Sequence, residues 1–287
     1  MNALPLRHLL LALSVVAVWG SNFVIIKWAL ATFTPLWLAA LRFSLAALPL
    51  LWIVRPAVPA RVLVSYGLLI GVGQFGLLFW AMRSAISPGV ASLVLQSQVF
   101  FTLLLALLIK GQRLKRLQTA ALVLAWAGIA WIAWQVDGSA TPLGLSLALV
   151  AAFCWGCANL IGQSAGKVDM LGFMVWSSAC AAPALIALAW WVEGPQALLR
   201  SAQAADVGAW TAVLWQALGN TLFGYGIWGW LLARHAAAQV VPTALLVPVI
   251  GMGCAAWWMG EALPAWKLQG AALVMAGLGL NLWSARR

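Results

Sequence analysis

QTAALVLAWAG, residues Gln118–Gly128, returns 151 residues later as QGAALVMAGLG, Gln269–Gly279, with seven of eleven positions identical. The second copy lies five hydrophobic stretches beyond the first. An odd number of crossings reverses direction, so in a membrane the two copies run opposite ways. Two halves of opposite orientation are the mark of a secondary transporter.

The composition demands a lipid setting. Of 287 residues 65% are hydrophobic and 7% charged, which would leave a water-soluble domain without a wettable surface. Uncharged stretches recur at about 20 residues, the length that crosses a hydrocarbon core about 30 Å thick. Ten transmembrane helices are expected, at residues 8–30, 34–54, 62–82, 88–109, 117–134, 142–163, 171–192, 209–233, 238–259 and 265–284. The expected fold is thus an all-α integral membrane protein of two inverted five-helix repeats, residues 1–134 and 142–287, joined by a linker at 135–141. Connections are short, and only residues 193–208 leave room for a small amphipathic surface piece.

The formal charge of +11 follows the loops and gives no reason to expect a nucleic-acid partner. With the N-terminus inside, the cytoplasmic side receives Arg7, Arg55, Arg61, Lys110, Arg113, Lys115, Arg116, Lys167, Arg234, Arg286 and Arg287, eleven of the sixteen basic residues. Arg83, Arg200 and Lys267 fall outside, with the acids Asp137, Glu193, Asp206 and Glu261. Both termini are therefore expected in the cytoplasm and the first helix is expected to be retained.

Several motifs are packing signals rather than chemistry. GVGQFG, Gly71–Gly76, fits a dinucleotide-binding pattern but lies inside the third span with no strand before it. Its glycines suit close helix approach, as do Ala121 with Ala125 and their duplicates Ala272 with Ala276. Cys154 and Cys157 spell CWGC one helical turn apart inside a span, outside the βαβ setting of redox pairs. His8 and His235 lie near cytoplasmic span ends, where solvated or interfacial roles are expected. The sequence carries no phosphate-binding loop, metal-ligand cluster or catalytic constellation. No cofactor or metal is expected, and a monomer suffices.

The duplication extends beyond its clearest segment. Arg83 and Arg234 share the displacement of 151, whereas the pairs Trp19-Gly20 in VWGSNF and Trp155-Gly156 in CWGCAN are 136 apart. Helix one then matches six, three matches eight, four matches nine and five matches ten. With WGSNFVIIKWAL in the first helix and PLWLAALRFSLAALPLL in the second, the chain resembles the EamA-type proteins of the drug/metabolite transporter superfamily. Within that superfamily it is similar to exporters of aromatic amino acids. The resemblance implies ten helices in two inverted halves around a central cavity lined by helices one, three, four, six, eight and nine. It also implies a bacterial inner-membrane location. The first half departs from the family pattern where Lys110–Arg116 replaces the acidic turn that Gly260 and Glu261 keep in the second.

Polar side chains in a membrane helix are costly unless they face protein or water, so they are the candidate site residues. Asn22, Gln74, Gln96, Gln98, Asn159 and Asn220 qualify, and Tyr225 adds a hydroxyl. Amides both donate and accept, which suits a zwitterion without stranding a fixed charge; the structural alternative is that each ties two helices together. Of twenty tryptophans, Trp28, Trp37, Trp52, Trp134, Trp190, Trp191, Trp258, Trp266 and Trp283 lie near span ends, as interfacial anchors do. Trp19, Trp155, Trp176 and Trp228 lie deeper and offer flat walls for a substrate.

The candidate substrate-binding set is therefore Trp19, Asn22, Gln98, Trp155, Asn159, Trp176, Asn220 and Trp228. Lys27 and Arg42 are candidates for gating or an electropositive vestibule, the alternatives being snorkelling for Lys27 and helix-carbonyl pairing for Arg42. Pro88, Pro242 and Pro248 are candidate hinges, Pro248 sitting mid-span and Pro88 equally able merely to begin the fourth helix. No acid falls inside a span, so the reading is a carrier of aromatic and other hydrophobic amino acids working by passive uniport or exchange. Proton-coupled efflux on the same fold is the alternative, followed by an intramembrane enzyme or a channel. Reporter tags fused to the two termini are expected on the same cytoplasmic face; tags on opposite faces would refute the inverted arrangement.

Overall fold

The computed structural model describes residues 4–110, 115–135, 138–166 and 168–286. Arg113, Asp137, Lys167 and Arg287, whose side was assigned above, lie outside them. In hydrocarbon every backbone N–H and C=O must find a partner within the protein, and helices meet that demand locally. The chain forms α1 (Leu6–Ala29), α2 (Pro35–Leu51), α3 (Ala60–Ser84), α4 (Pro88–Ile109), α5 (Arg116–Trp134), α6 (Pro142–Ser164) and α7 (Met170–Val192). These are followed by α8 (Pro195–Ala204), α9 (207–234), α10 (237–259) and α11 (Ala265–Arg286). The described residues contain no strand.

Start signals are local. Ser87 and Thr141 accept a backbone N–H at the start of α4 and α6, each followed by Pro at the first helical position; Pro88 thus begins its helix. Asp169 and Asp206 cap α7 and α9 in the same way. Gly260, at φ +64, ends the helix before it in the left-handed conformation. Seven helices are long and apolar enough to cross a membrane, and Pro35–Leu51 is a shorter apolar one. The other long segments are more polar: α9 carries Gln216 and Asn220, and α11 carries Lys267 and Gln269. Helix α8 occupies the surface position expected between 193 and 208.

The duplicated helices pack on each other, antiparallel. A Cβ on Gly128 of α5 would lie 2.8 Å from the Gly270 carbonyl of α11, and one on Gly277 would lie 2.7 Å from the Ala121 carbonyl. Ala121 and Ala125 are buried in this seam as expected, but their duplicates Ala272 and Ala276 are exposed. Gly270, Val274 and Gly277 fill the seam instead, because glycine lets the backbones come closer than alanine does.

The remaining neighbours repeat under the same exchange. Helix α1 packs on α9 and α10 of the other half, and its counterpart α6 packs on α3 and α4. The repeated Trp-Gly pairs serve these crossings. A Cβ on Gly20 would come within 2.7 Å of Ile250 in α10, and one on Gly156 within 2.9 Å of Phe101 in α4. The Gly-rich string in α3 acts alike, Gly71 against Ala181 of α7 and Gly73 against Cys154 of α6.

Regularity breaks in matching helices. A π-helical stretch interrupts α3 at Leu69–Gly76 and α9 at Trp215–Phe223. A 3-10 stretch interrupts α4 at Leu95–Ser97 and α10 at Val241–Leu245. Pro242 lies in the latter, and Pro248 is the third residue of the α-helical segment that follows.

At the end away from the termini, two acids hold helix starts in the other half. Glu193, just after α7, accepts from the N–H groups of Leu36 (2.9 Å) and Trp37 (3.1 Å) and from the Thr34 hydroxyl (2.6 Å). Trp37 is accordingly buried, not interfacial as expected, and its indole donates to the Gly194 carbonyl at 3.0 Å. Glu261 accepts from the Ser87 hydroxyl (2.6 Å), the Gly89 N–H (2.9 Å) and Lys267 (3.0 Å). At the other end His8 and His235, rather than being merely solvated, share a 2.6 Å hydrogen bond between α1 and the end of α9.

Lys267 is only 1% exposed, so Glu261→Ala would leave a buried ammonium without its counter-charge. The expected cost is about 3–5 kcal/mol, read as a lower unfolding temperature of the protein in detergent. Glu261→Gln, which keeps an acceptor oxygen, is expected to fall between Glu261→Ala and the parent. An unchanged unfolding temperature in Glu261→Ala would remove this clamp from the stabilising contacts.

Candidate functional site

Two polar clusters lie between the halves, one where α1 meets α9 and one where α4 meets α6. The first begins with Trp19 and Asn22, three residues apart on α1 and so on one side of it. The Trp19 indole donates to the Asn220 carbonyl at 3.2 Å, within the π-helical stretch of α9. Its ring lies 5.4 Å from Tyr225 and 5.1 Å from Trp228, centroid to centroid. Gly224 leaves room for that ring.

Asn22 leads to Arg42. Its Oδ1 accepts from Gln216 Nε2 at 2.7 Å, and Gln216 Oε1 accepts from the Arg42 guanidinium at 3.0 Å. A second Arg42 nitrogen donates to Thr221 at 3.0 Å, and the guanidinium carbon sits 3.6 Å from the Phe75 ring centroid. Thr221 Oγ1 donates to the Gln216 carbonyl at 3.0 Å, a five-residue reach that matches the π-helical turn. Arg42 is 1% exposed and its Nε has no partner. Neutral acceptors and an aromatic face thus hold a buried cation, with no acid in contact among the described residues.

The second cluster is amide-rich. Asn159 Nδ2 donates to Gln98 Oε1 at 2.6 Å and to Thr102 Oγ1 at 3.1 Å. Gln98 opens the regular part of α4 just after its 3-10 stretch, and Trp155 lies one turn before Asn159 on α6. Both amides and Trp155 are half-buried. The pairing uses neither the Gln98 amide nitrogen nor the Asn159 oxygen.

The burial of α4 changes at this point. Residues 88–97 are all buried, whereas 98–107 are half-buried except for Phe100. Residues 225–230 of α9 are half-buried throughout. Helix α4 is thus fully packed in its outer part, and α4 and α9 are less covered in their parts nearer the termini.

Of the expected site residues, Trp19, Asn22, Asn220 and Trp228 come together in the first cluster, and Gln98, Trp155 and Asn159 in the second. Trp176 joins neither; its indole donates to the Ile53 carbonyl at 3.0 Å and holds the turn after α2. Neither basic residue has the structural role foreseen for it. Lys27 is the one that binds helix carbonyls, donating to Met82 (2.8 Å) and Arg83 (2.9 Å) at the end of α3, while Arg42 binds side chains. Lys27 satisfies orphan carbonyls where the helix dipole is negative. Pro248 is buried within α10.

Three participants were not foreseen: Gln216, Thr221 and Thr102. Gln216 had a legible signal, standing four residues before Asn220 in the same span. Thr221 and Thr102 had none, because a lone threonine satisfies itself on its own helix and shows no sign of a cross-helix partner.

Comparison with known proteins agrees with this architecture. Residues 6–134 and 142–283 match the family described as the EamA-like transporter family. A relative from Salmonella typhimurium, named "Probable amino-acid metabolite efflux pump", is 41% identical over 96% of this chain and 95% of its own. One of the same name from Escherichia coli is 38% identical over the same shares. A "Probable terminal-alkyne amino-acid exporter" of Streptantibioticus cattleyicolor is 25% identical over 92% of each chain. A solved structure with 19% identity superposes with a TM-score of 0.63 over 98% of both chains, a likeness of fold. The protein is a transporter and not an enzyme, a multi-pass component of the bacterial inner membrane, and the chain belongs to the EamA-like transporter family.

Proposed function

We propose that this transporter exports amino acids, aromatic and other hydrophobic ones above all, by alternating access between two inverted five-helix halves, 1–134 and 142–287, joined at 135–141. All ten long helical segments cross the bilayer, with both termini in the cytoplasm. Two matches to one family description in a single chain, and the antiparallel α5–α11 seam, support that arrangement.

The observation that carries the substrate reading is the half-buried Gln98–Asn159 pair. One amide N–H of Gln98 is open to a carboxylate and the Asn159 oxygen to an ammonium, so a zwitterion finds one donor and one acceptor without a fixed counter-charge. The Trp155 ring beside this pair, and Trp19 with Trp228 across the interface, supply flat apolar area for a side chain. Asn22 and Asn220 complete the α1–α9 wall, and Trp176 orients α7 behind it. The lower coverage of α4 and α9 toward the termini supports reading this as a cytoplasm-facing state. Its closed end is held by Lys27 on α3 and by the Gly20–Pro248 region where α1 crosses α10, while Arg42 pins the α9 wall. The relatives named for amino-acid efflux or export support the direction and the substrate class.

Replacing Gln98, Trp155, Trp19 or Asn22 by Ala is expected to lower amino-acid export about 10-fold or more without loss of protein from the membrane, through a lost hydrogen bond to a charged group at Gln98, lost stacking area at the tryptophans and a loosened α1–α9 wall at Asn22. Radiolabelled flux in proteoliposomes checks this, and unchanged export by all four variants would dismiss the site. The described acids are engaged at helix starts, which favours passive movement. Flux is therefore expected to saturate, to show counterflow and to proceed without a pH gradient; an obligatory gradient would establish proton coupling instead.

A further inference from the structure

We infer that the groove between the outer ends of α1 and α10 is a binding site for one anionic phospholipid of the leaflet opposite the termini. The groove has a volume of about 610 Å³ and is lined by Val24, Ile25, Trp28 and Ala31 of α1 and by Trp258 and Met259 of α10, with Lys27 and Arg83 at its rim.

Its shape follows from the crossing below it. Where a Cβ on Gly20 would meet Ile250 at 2.7 Å the two helices touch, and beyond that point the groove opens between them, lined by Trp28, whose ring edge lies over Gly208 at the start of α9, and by Trp258. The walls suit an acyl chain: Val24 and Ile25 lie a turn deeper than Trp28, and Trp28 and Trp258 are 57% and 58% exposed, as indoles at a headgroup boundary are.

Charge selects the headgroup. Lys27 and Arg83 stand together at the rim, and the one ion pair among the described residues is Glu261–Lys267, so neither meets an acidic side chain. Lys27 spends two donors on the Met82 and Arg83 carbonyls, which fixes its ammonium in place. The Arg83 side chain is exposed. A phosphodiester that brings no cation of its own neutralises this pair, whereas a zwitterionic choline headgroup carries a third positive charge to it. The site is separate from the amide cluster and holds whatever the transported substrate.

The test uses the purified full-length protein in detergent, titrated with phosphatidylglycerol, with phosphatidylcholine of the same chains, and with inorganic phosphate. Bound lipid is counted by native mass spectrometry and stabilisation is followed by thermal unfolding. Phosphatidylglycerol is expected to be retained and to raise the unfolding temperature, with little effect of the other two. Arg83→Gln is expected to weaken it about fivefold, the worth of one basic residue near an anionic headgroup. Ala31→Trp, which fills the groove from an exposed position, is expected to abolish retention. Equal retention of phosphatidylcholine, or unaltered phosphatidylglycerol binding in both variants, overturns the proposal. Stabilisation by phosphate alone would make the rim a free-anion site, and displacement of the lipid by an exported amino acid would make the groove part of the substrate path; either also overturns it.

Discussion

The backbone's need for hydrogen-bond partners in a solvent that offers none governs this molecule. Helices answer it along their length but leave N–H groups at one end and carbonyls at the other. Each acid among the described residues is at a helix start. Asp169 and Asp206 cap their own helices, while Glu193 and Glu261 reach across to α2 and α4. Lys27 answers the opposite need at the end of α3, and the Trp176 indole does so after α2, on the Ile53 carbonyl. The acids and Lys27 are thus used where backbone groups run out of partners, which leaves the amides and Arg42 for the interface between halves.

The same constraint explains where regular helix is given up. The π-helical stretches of α3 and α9 and the 3-10 stretches of α4 and α10 fall in helices packed against α1 and α6. Irregular backbone at membrane depth is tolerated where protein lies around it, and here protein groups take the displaced bonds. Trp19 donates to a carbonyl inside the π-helical stretch of α9, and Thr221 closes its five-residue turn. Four interrupted helices thus surround two uninterrupted ones beside the polar clusters.

Gly20, Gly128, Gly156 and Gly277 set the distances at which the halves touch. The hydrophobic effect supplies no net attraction between helices in lipid, so close backbone approach and van der Waals contact carry the association. This accounts for the return of Trp-Gly in both halves, glycine making the crossing and tryptophan standing beside it. The one-residue difference between WGSN and WGCAN turns Asn22 and Asn159 by about 100° relative to their glycines. Accordingly Asn22 meets Gln216 on α9 and Asn159 meets Gln98 on α4.

Composition and the repeated QTAALVLAWAG segment were enough by themselves to reveal a lipid-embedded helical chain, its duplication, the opposite course of the repeated helices, the surface piece after α7 and most of the polar candidates. These are properties of span length, charge and identity along the chain, which need no neighbour to be read. What only the tertiary structure decided is which face each helix turns to which partner. It buried Ala121 and exposed Ala272, hid Trp37 beneath Glu193, gave Lys27 the carbonyls expected for Arg42, and surrounded Arg42 with Gln216, Thr221 and Phe75. In a helix apolar on every side no periodicity marks an inner face. That choice falls to glycine contacts and cross-helix hydrogen bonds between residues as far apart as 227 positions, His8 and His235.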